Sequence, residues 1–140
     1  MKTKLFLDTN IILDLLGERI PFYEPSAKLA SLADKGKFDF VVSALSFATV
    51  NYFLTKYEGA EKAKEKLRKF KILSRIASVD EKIIEKGLNS KFKDFEDSLQ
   101  YFCALKEECS IIITRNAKDF KESDLPIMTA EEYIISIGMK

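Results

Sequence analysis

Apolar positions along this chain switch between continuous runs and a helical rhythm, and the switches mark its elements. Lys4–Leu7 reads as a short apolar strand. Asp8-Thr9-Asn10 then supplies helix-capping side chains, and Ile11–Leu16 opens a helix that Gly17 and Pro21 end. Within Glu24–Lys35, Ala27, Leu29, Ala30, Leu32 and Ala33 form a helical stripe, stopped by Gly36. Phe38–Ser43 is rich in β-formers and leads into a helix over Ala44–Tyr57, ending near Gly59. A second helix over Ala60–Phe70 follows. Ile72–Val79 holds a strand, Asp80 caps a helix through Leu88, and Asn89–Phe92 is a loop. Asp94–Glu108 is a long amphipathic helix with Leu99, Phe102 and Cys103 on its apolar side. Ser110–Thr114 is a continuous apolar strand, Ile127-Met128 a last short one, and Ala130–Ile137 a closing helix.

Strands alternating with helices pair in parallel, with helices covering both faces. The expectation is a single α/β domain over residues 1–140. It is a three-layer α/β/α sandwich around a central, mainly parallel sheet of four to five strands. In such sheets functional groups gather at the carboxyl ends of the strands.

Composition narrows the class. The chain has 140 residues, 46% apolar and 32% charged, as expected of one soluble globule. No run approaches the ~18 apolar residues of a membrane span, and Leu5-Phe6-Leu7 is far too short for a secretory core. Cys103 and Cys109 lie on different faces of one helix and read as reduced packing residues. A cytoplasmic protein with no membrane association is expected. Net charge is only +1, but Lys56–Arg75 carries eight basic against three acidic residues. That stretch reads either as a solvated helix face or as a phosphate-contacting surface.

There is no histidine. This excludes Ser-His and Cys-His nucleophile pairs, HExxH zinc sites and histidine general bases. Hydrolytic chemistry here must rest on carboxylates, metal and water. Three distant regions place acids near strand ends: Asp8 after the first strand, Asp94 and Asp97 one turn apart at a helix start, and Asp119 after SIIIT. Each could simply cap a helix or serve a loop. Together they suit Mg2+ or Mn2+, hard cations that prefer carboxylate oxygen and can activate water and neutralise phosphoryl charge.

Four segments resemble the PIN-domain family, and within it the small bacterial VapC-type toxins: FLDTNIILDLL (Phe6–Leu16), VVSALSFATVNYFLTK (Val41–Lys56), KDFEDSLQYFCALK (Lys93–Lys106) and SIIITRNAKDFKESDLPIMTAEEY (Ser110–Tyr133). The resemblance implies an Mg2+- or Mn2+-dependent endoribonuclease with Asp8 and Asp97 as metal ligands. It makes Asp94 and Asp119 supporting acids. Asn10 would orient water or phosphate, and Thr114 and Asn116 would position substrate beside it. Active relatives carry a glutamate in the helix after the second strand. Here Thr49 stands there with Asn51 nearby, and both are taken as substrate-side polar groups. Many relatives also carry an acid where Asn116 stands.

Asp14 shares a helix face with Asn10 and is expected to serve a structural or supporting role. Phe22, Tyr23, Phe47, Tyr52, Phe53 and Tyr57 are expected to be mostly core, with any exposed subset suited to an antitoxin peptide. The resemblance further implies an RNA substrate, a cognate antitoxin and a homodimer. Two rivals remain. One is a PIN domain that binds RNA or protein without cutting, motivated by Thr49. The other is a small phosphotransfer domain, disfavoured because no DxD pair follows the first strand.

Overall fold

The computed structural model describes residues 2–138. Five strands form one sheet: β1 (Lys4–Leu7), β2 (Asp39–Ser43), β3 (Ser74–Ala77), β4 (Ile111–Ile113) and β5 (Ile127–Met128), in the order β3-β2-β1-β4-β5. All four pairings are parallel. The expected α/β/α sandwich with its parallel sheet is therefore present. β1 is central, with Leu5 opposite Phe40 on one side and Ile111 on the other.

Side chains alternate across each strand, so the sheet feeds two cores. Leu5, Leu7, Phe40, Val42, Ile111 and Ile113 pack toward α1 (Thr9–Leu16), α2 (Tyr23–Asp34), α3 (Ala44–Glu58), α4 (Ala60–Leu73) and α7 (Ala130–Ser136). Phe6, Val41, Ala77 and Ile112 pack toward α5 (Glu81–Leu88) and α6 (Phe95–Lys106). Gly87 lets these last two helices close on each other. A Cβ there would sit 2.8 Å from Ser98 Oγ and 2.9 Å from Leu99 Cδ2. Gly59, at φ +92°, makes the corner between α3 and α4 that a side chain would strain.

The predicted elements recur with small shifts. The third strand is shorter than Ile72–Val79 because α4 runs on through Leu73, burying Phe70. A 3-10 turn over Ala117–Phe120 lies in a segment that carries no periodic pattern. The basic helix α4 buries Ala63 and Phe70 and turns most cations to solvent. Lys66 is the exception: its Nζ donates to the Leu16 carbonyl at 2.7 Å, at the end of α1, and pairs with Glu58 at 2.8 Å. Cys103 and Cys109 are free and buried, and burial pushes their thiols up to about 11 and about 12. No helix among the described residues is long and apolar enough to cross a membrane.

One packing expectation needs correction. Of the six aromatics assigned mostly to the core, Phe22, Tyr52, Phe53 and Tyr57 are exposed, Tyr57 at 75%. Successive aromatics on α3 exceed the width of its buried stripe, so Tyr52, Phe53 and Tyr57 face out while Val50 and Leu54 pack inward.

Candidate active site

Parallel strands put the carboxyl ends of β1 and β4 at one edge of the sheet, and the start of α6 reaches the same edge. A cleft of about 260 Å³ opens there, lined by Asp8, Thr9, Asn10, Glu96, Asp97, Gln100, Asn116 and Asp119, with Arg19 and Arg115 on its wall. Four carboxylates from three segments distant in sequence thus face one hollow.

Asp8 ends β1 and caps α1, accepting from Thr9 N at 2.9 Å. Its other oxygen accepts from Thr114 Oγ1 at 2.7 Å and Asn10 Nδ2 at 3.4 Å. Burial raises its carboxyl above the usual carboxylate range. Hydrogen bonds from Thr114, Thr9 and Gln100 oppose that rise, and Asp119 adds to it. Asp97 lies in the first turn of α6, where Asp94 caps the helix by accepting from Asp97 N at 3.0 Å. Partial desolvation, then repulsion from Asp8, Asp94, Asp119 and Glu96, lifts Asp97 from an ordinary 3.8 to about 7. Glu96 is raised by desolvation and by Asp94 and Asp8, against a hydrogen bond from the Thr49 side chain.

The predicted residues separate into groups. Asp8, Asp97, Asp119, Asn10 and Asn116 meet in the cleft. Asp94 faces an adjoining hollow shared with Asp97 and Asp119. Thr114 is fully buried beneath Asp8 and also accepts from Asn116 N at 3.1 Å, which fixes it as a support for both. Thr49 meets the cleft through Glu96. Asn51 is turned along α3, accepting from Thr55 Oγ1 at 3.4 Å.

Glu96, Gln100, Ser46, Arg19 and Arg115 are further side chains here. Gln100 carried a readable signal, because it lies three residues after Asp97 and so on its helix face. Its Nε2 donates to Thr9 Oγ1 at 3.0 Å and Ser46 Oγ at 2.8 Å, tying α6 to α1 and α3. The arginines carried none, since their convergence depends on the turn after α1 meeting the loop after β4.

The donor set fits a hydrated hard cation. Among the described residues no three acids converge into an all-protein cage. Mg2+ nevertheless commonly takes one or two carboxylates and keeps waters. Two buried oxygens beside the acids, Asn10 Oδ1 and Gln100 Oε1, accept no hydrogen bond within the described protein, so acceptor capacity is left over at the site.

Known proteins share this fold. The PIN domain family matches residues 4–118. Ribonuclease VapC1 of Aquifex aeolicus (strain VF5) is 32% identical over 135 residues, spanning 93% of this chain and 92% of that protein. A chain of VapBC2 from Rickettsia felis, solved bound to a DNA fragment from their promoter, superposes with TM-score 0.68 at 21% identity, covering 90% of this chain and 97% of that one. Mycobacterium tuberculosis VapC20, a sarcin-ricin loop cleaving toxin, superposes with TM-score 0.67 at 11% identity, covering 84% and 94%. At these identities the two structures speak to the fold.

Proposed function

This chain belongs to the PIN domain family and is similar to a VapC ribonuclease, and from that premise we propose a metal-dependent endoribonuclease of toxin–antitoxin type. The observation that carries the reading is the convergence of Asp8, Glu96, Asp97 and Asp119 on one cleft. Asp8 and Asp97 would hold Mg2+ or Mn2+, with Asp94 and Asp119 shaping the field around them. A divalent cation held there would neutralise phosphoryl charge and make water a better nucleophile. Asn10 and Asn116 orient the phosphodiester, and Thr114 keeps the Asp8 carboxylate aimed by hydrogen bonding. Glu96 supplies a carboxylate on the side where Thr49 replaces the glutamate of active relatives.

A cognate antitoxin is the natural partner on this reading. The α3 aromatics Tyr52, Phe53 and Tyr57 give a peptide an apolar face. Phe53 and Tyr57 also line a hollow of about 390 Å³ with Leu13 and Leu54. A homodimer in the cytoplasm completes the proposal.

The test is Mn2+ titration by calorimetry, followed by cleavage of RNA, with Asp8→Asn and Asp97→Asn as comparisons. Loss of both metal heat and cleavage in either variant, with an unchanged far-UV spectrum, is expected. Parental cleavage in Asp97→Asn at matched purity would sink the assignment. The rival, an RNA- or protein-binding module that does not cut, draws on Thr49 and on the lack of a three-acid cage among the described residues. It predicts no cleavage by the parent and a gain of cleavage in Thr49→Glu.

A further inference from the structure

Beside the carboxylates, the same cleft is walled by two guanidinium groups whose placement the metal chemistry does not require. Arg115 Nε donates to Asp14 Oδ2 at 2.7 Å and its Nη2 to Asp14 Oδ1 at 3.2 Å, a two-point grip on a carboxylate with no solvent exposure. Arg19 Nε lies 3.8 Å from the same Asp14. Two cations therefore share one anion, leaving a positive charge over. Arg115 Nη1 makes no hydrogen bond to any described residue, and Arg19 makes none through its side chain. The Arg115 plane lies over the Phe22 ring with Cζ 3.9 Å from its centroid, which fixes the guanidinium against the turn after α1. A cation held this rigidly loses little rotamer freedom when it meets a ligand.

We propose that Arg115 and Arg19 form a phosphate subsite on the wall of the carboxylate cleft, positioned by Asp14, that grips the RNA phosphate adjoining the one to be cut. The proposal rests on the ribonuclease reading for its substrate. The guanidinium fork suits an anionic, two-oxygen ligand. The neighbouring acids would repel that ligand unless the cations anchored it. Free backbone N–H groups of a helix start are not needed, because the donors are guanidinium N–H groups with hydrogens to spare.

Removing Arg115 alone would strand a buried carboxylate and could unfold the chain. Asp14→Asn/Arg115→Gln avoids this and keeps the net charge unchanged, so it separates a specific contact from the general field. Arg19→Gln is the second variant. Lys37→Gln, exposed just before β2 and so at the amino edge of the sheet, is the control. Each is assayed for cleavage of a short randomised single-stranded RNA with Mn2+, and for binding of the same fluorescent RNA by anisotropy in EDTA.

In the double variant KM is expected to rise about tenfold with kcat within about threefold. The slope of log affinity against log salt should fall by about 0.7, the value for one single-strand phosphate contact. Arg19→Gln should move both readouts the same way by a smaller amount, and Lys37→Gln should move neither. Unchanged KM, affinity and salt slope in a double variant whose parent cleaves RNA overturn the subsite and leave the nuclease intact. A parent that neither cleaves nor binds RNA overturns both.

Discussion

Asp97 gives the sharpest test of the site's electrostatics, because removing its charge should make the metal-free protein more stable. In the folded chain Asp97 titrates near 7, against an ordinary 3.8, through desolvation and the four acids around it. Between those pH values the native state keeps a proton that the unfolded chain has released. Stability is then fully present below about pH 4, falls as pH rises, and is lowest above 7. For a sealed group a rise of that size would correspond to about 4 kcal/mol. Asp97 is only half-buried, so solvent screening reduces this to roughly 1–2 kcal/mol. The α6 N-terminus offsets a further ~0.3–1 kcal/mol by favouring the anion.

Asparagine has nearly the shape of the protonated carboxyl, and the helix cap survives because it uses Asp97 N and Asp94 Oδ1. In EDTA at pH 8, Asp97→Asn should therefore melt higher by about 2–8 °C. Between pH 8 and pH 5 the parent should gain stability and the variant should gain less, since only Asp8 and Glu96 still resist ionisation. The assay is thermal unfolding by circular dichroism at matched pH, with urea midpoints as a second measure. A variant that melts at or below the parent at pH 8 would refute the claim that these carboxylates repel one another in the absence of metal.

Four other outcomes check separate parts of the structure. Thr114→Val removes the hydroxyl that donates to Asp8 at 2.7 Å; unfolding in urea should register a loss of about 1–3 kcal/mol, and calorimetry a weaker Mn2+ affinity. Glu96→Gln should lower Mn2+ affinity several-fold while changing the melting temperature little, and parental affinity would remove Glu96 from the metal's surroundings. Thr49→Glu sets a second acid beside Glu96 and should tighten Mn2+ binding while lowering the metal-free melting temperature at pH 8. Gly87→Ala forces the Ser98 and Leu99 side chains away from 2.8 and 2.9 Å contacts, and denaturant melts should show about 1–3 kcal/mol of lost stability.

What the sequence determined was everything that follows from local rhythm and from residue type. Strand and helix order was legible because apolar runs such as Leu5-Phe6-Leu7 and Ile111-Ile112-Ile113 alternate with helical stripes, and that alternation dictates parallel pairing. Parallel pairing in turn sends Asp8 and the residues after Ile113 to one edge, so the acids could be named before their distances were known. The absence of histidine excluded whole classes of chemistry from composition alone.

The tertiary structure decided how those side chains divide their work. Thr114 and Asn51 look alike in sequence as small polar groups near the acids. Thr114 is sealed beneath Asp8, while Asn51 turns along α3 toward Thr55. Glu96 enters the cleft, although a neighbour of Asp97 on a regular helix would point some 100° away, because both belong to the first turn, where the cleft wraps around the helix end. Arg115 stands between two residues assigned to substrate, and nothing local links it to Asp14, 101 positions earlier. That pairing forms only when α1 itself and the loop after β4 meet over the sheet edge. Contacts made by closing a long stretch of chain leave no periodic trace in the sequence.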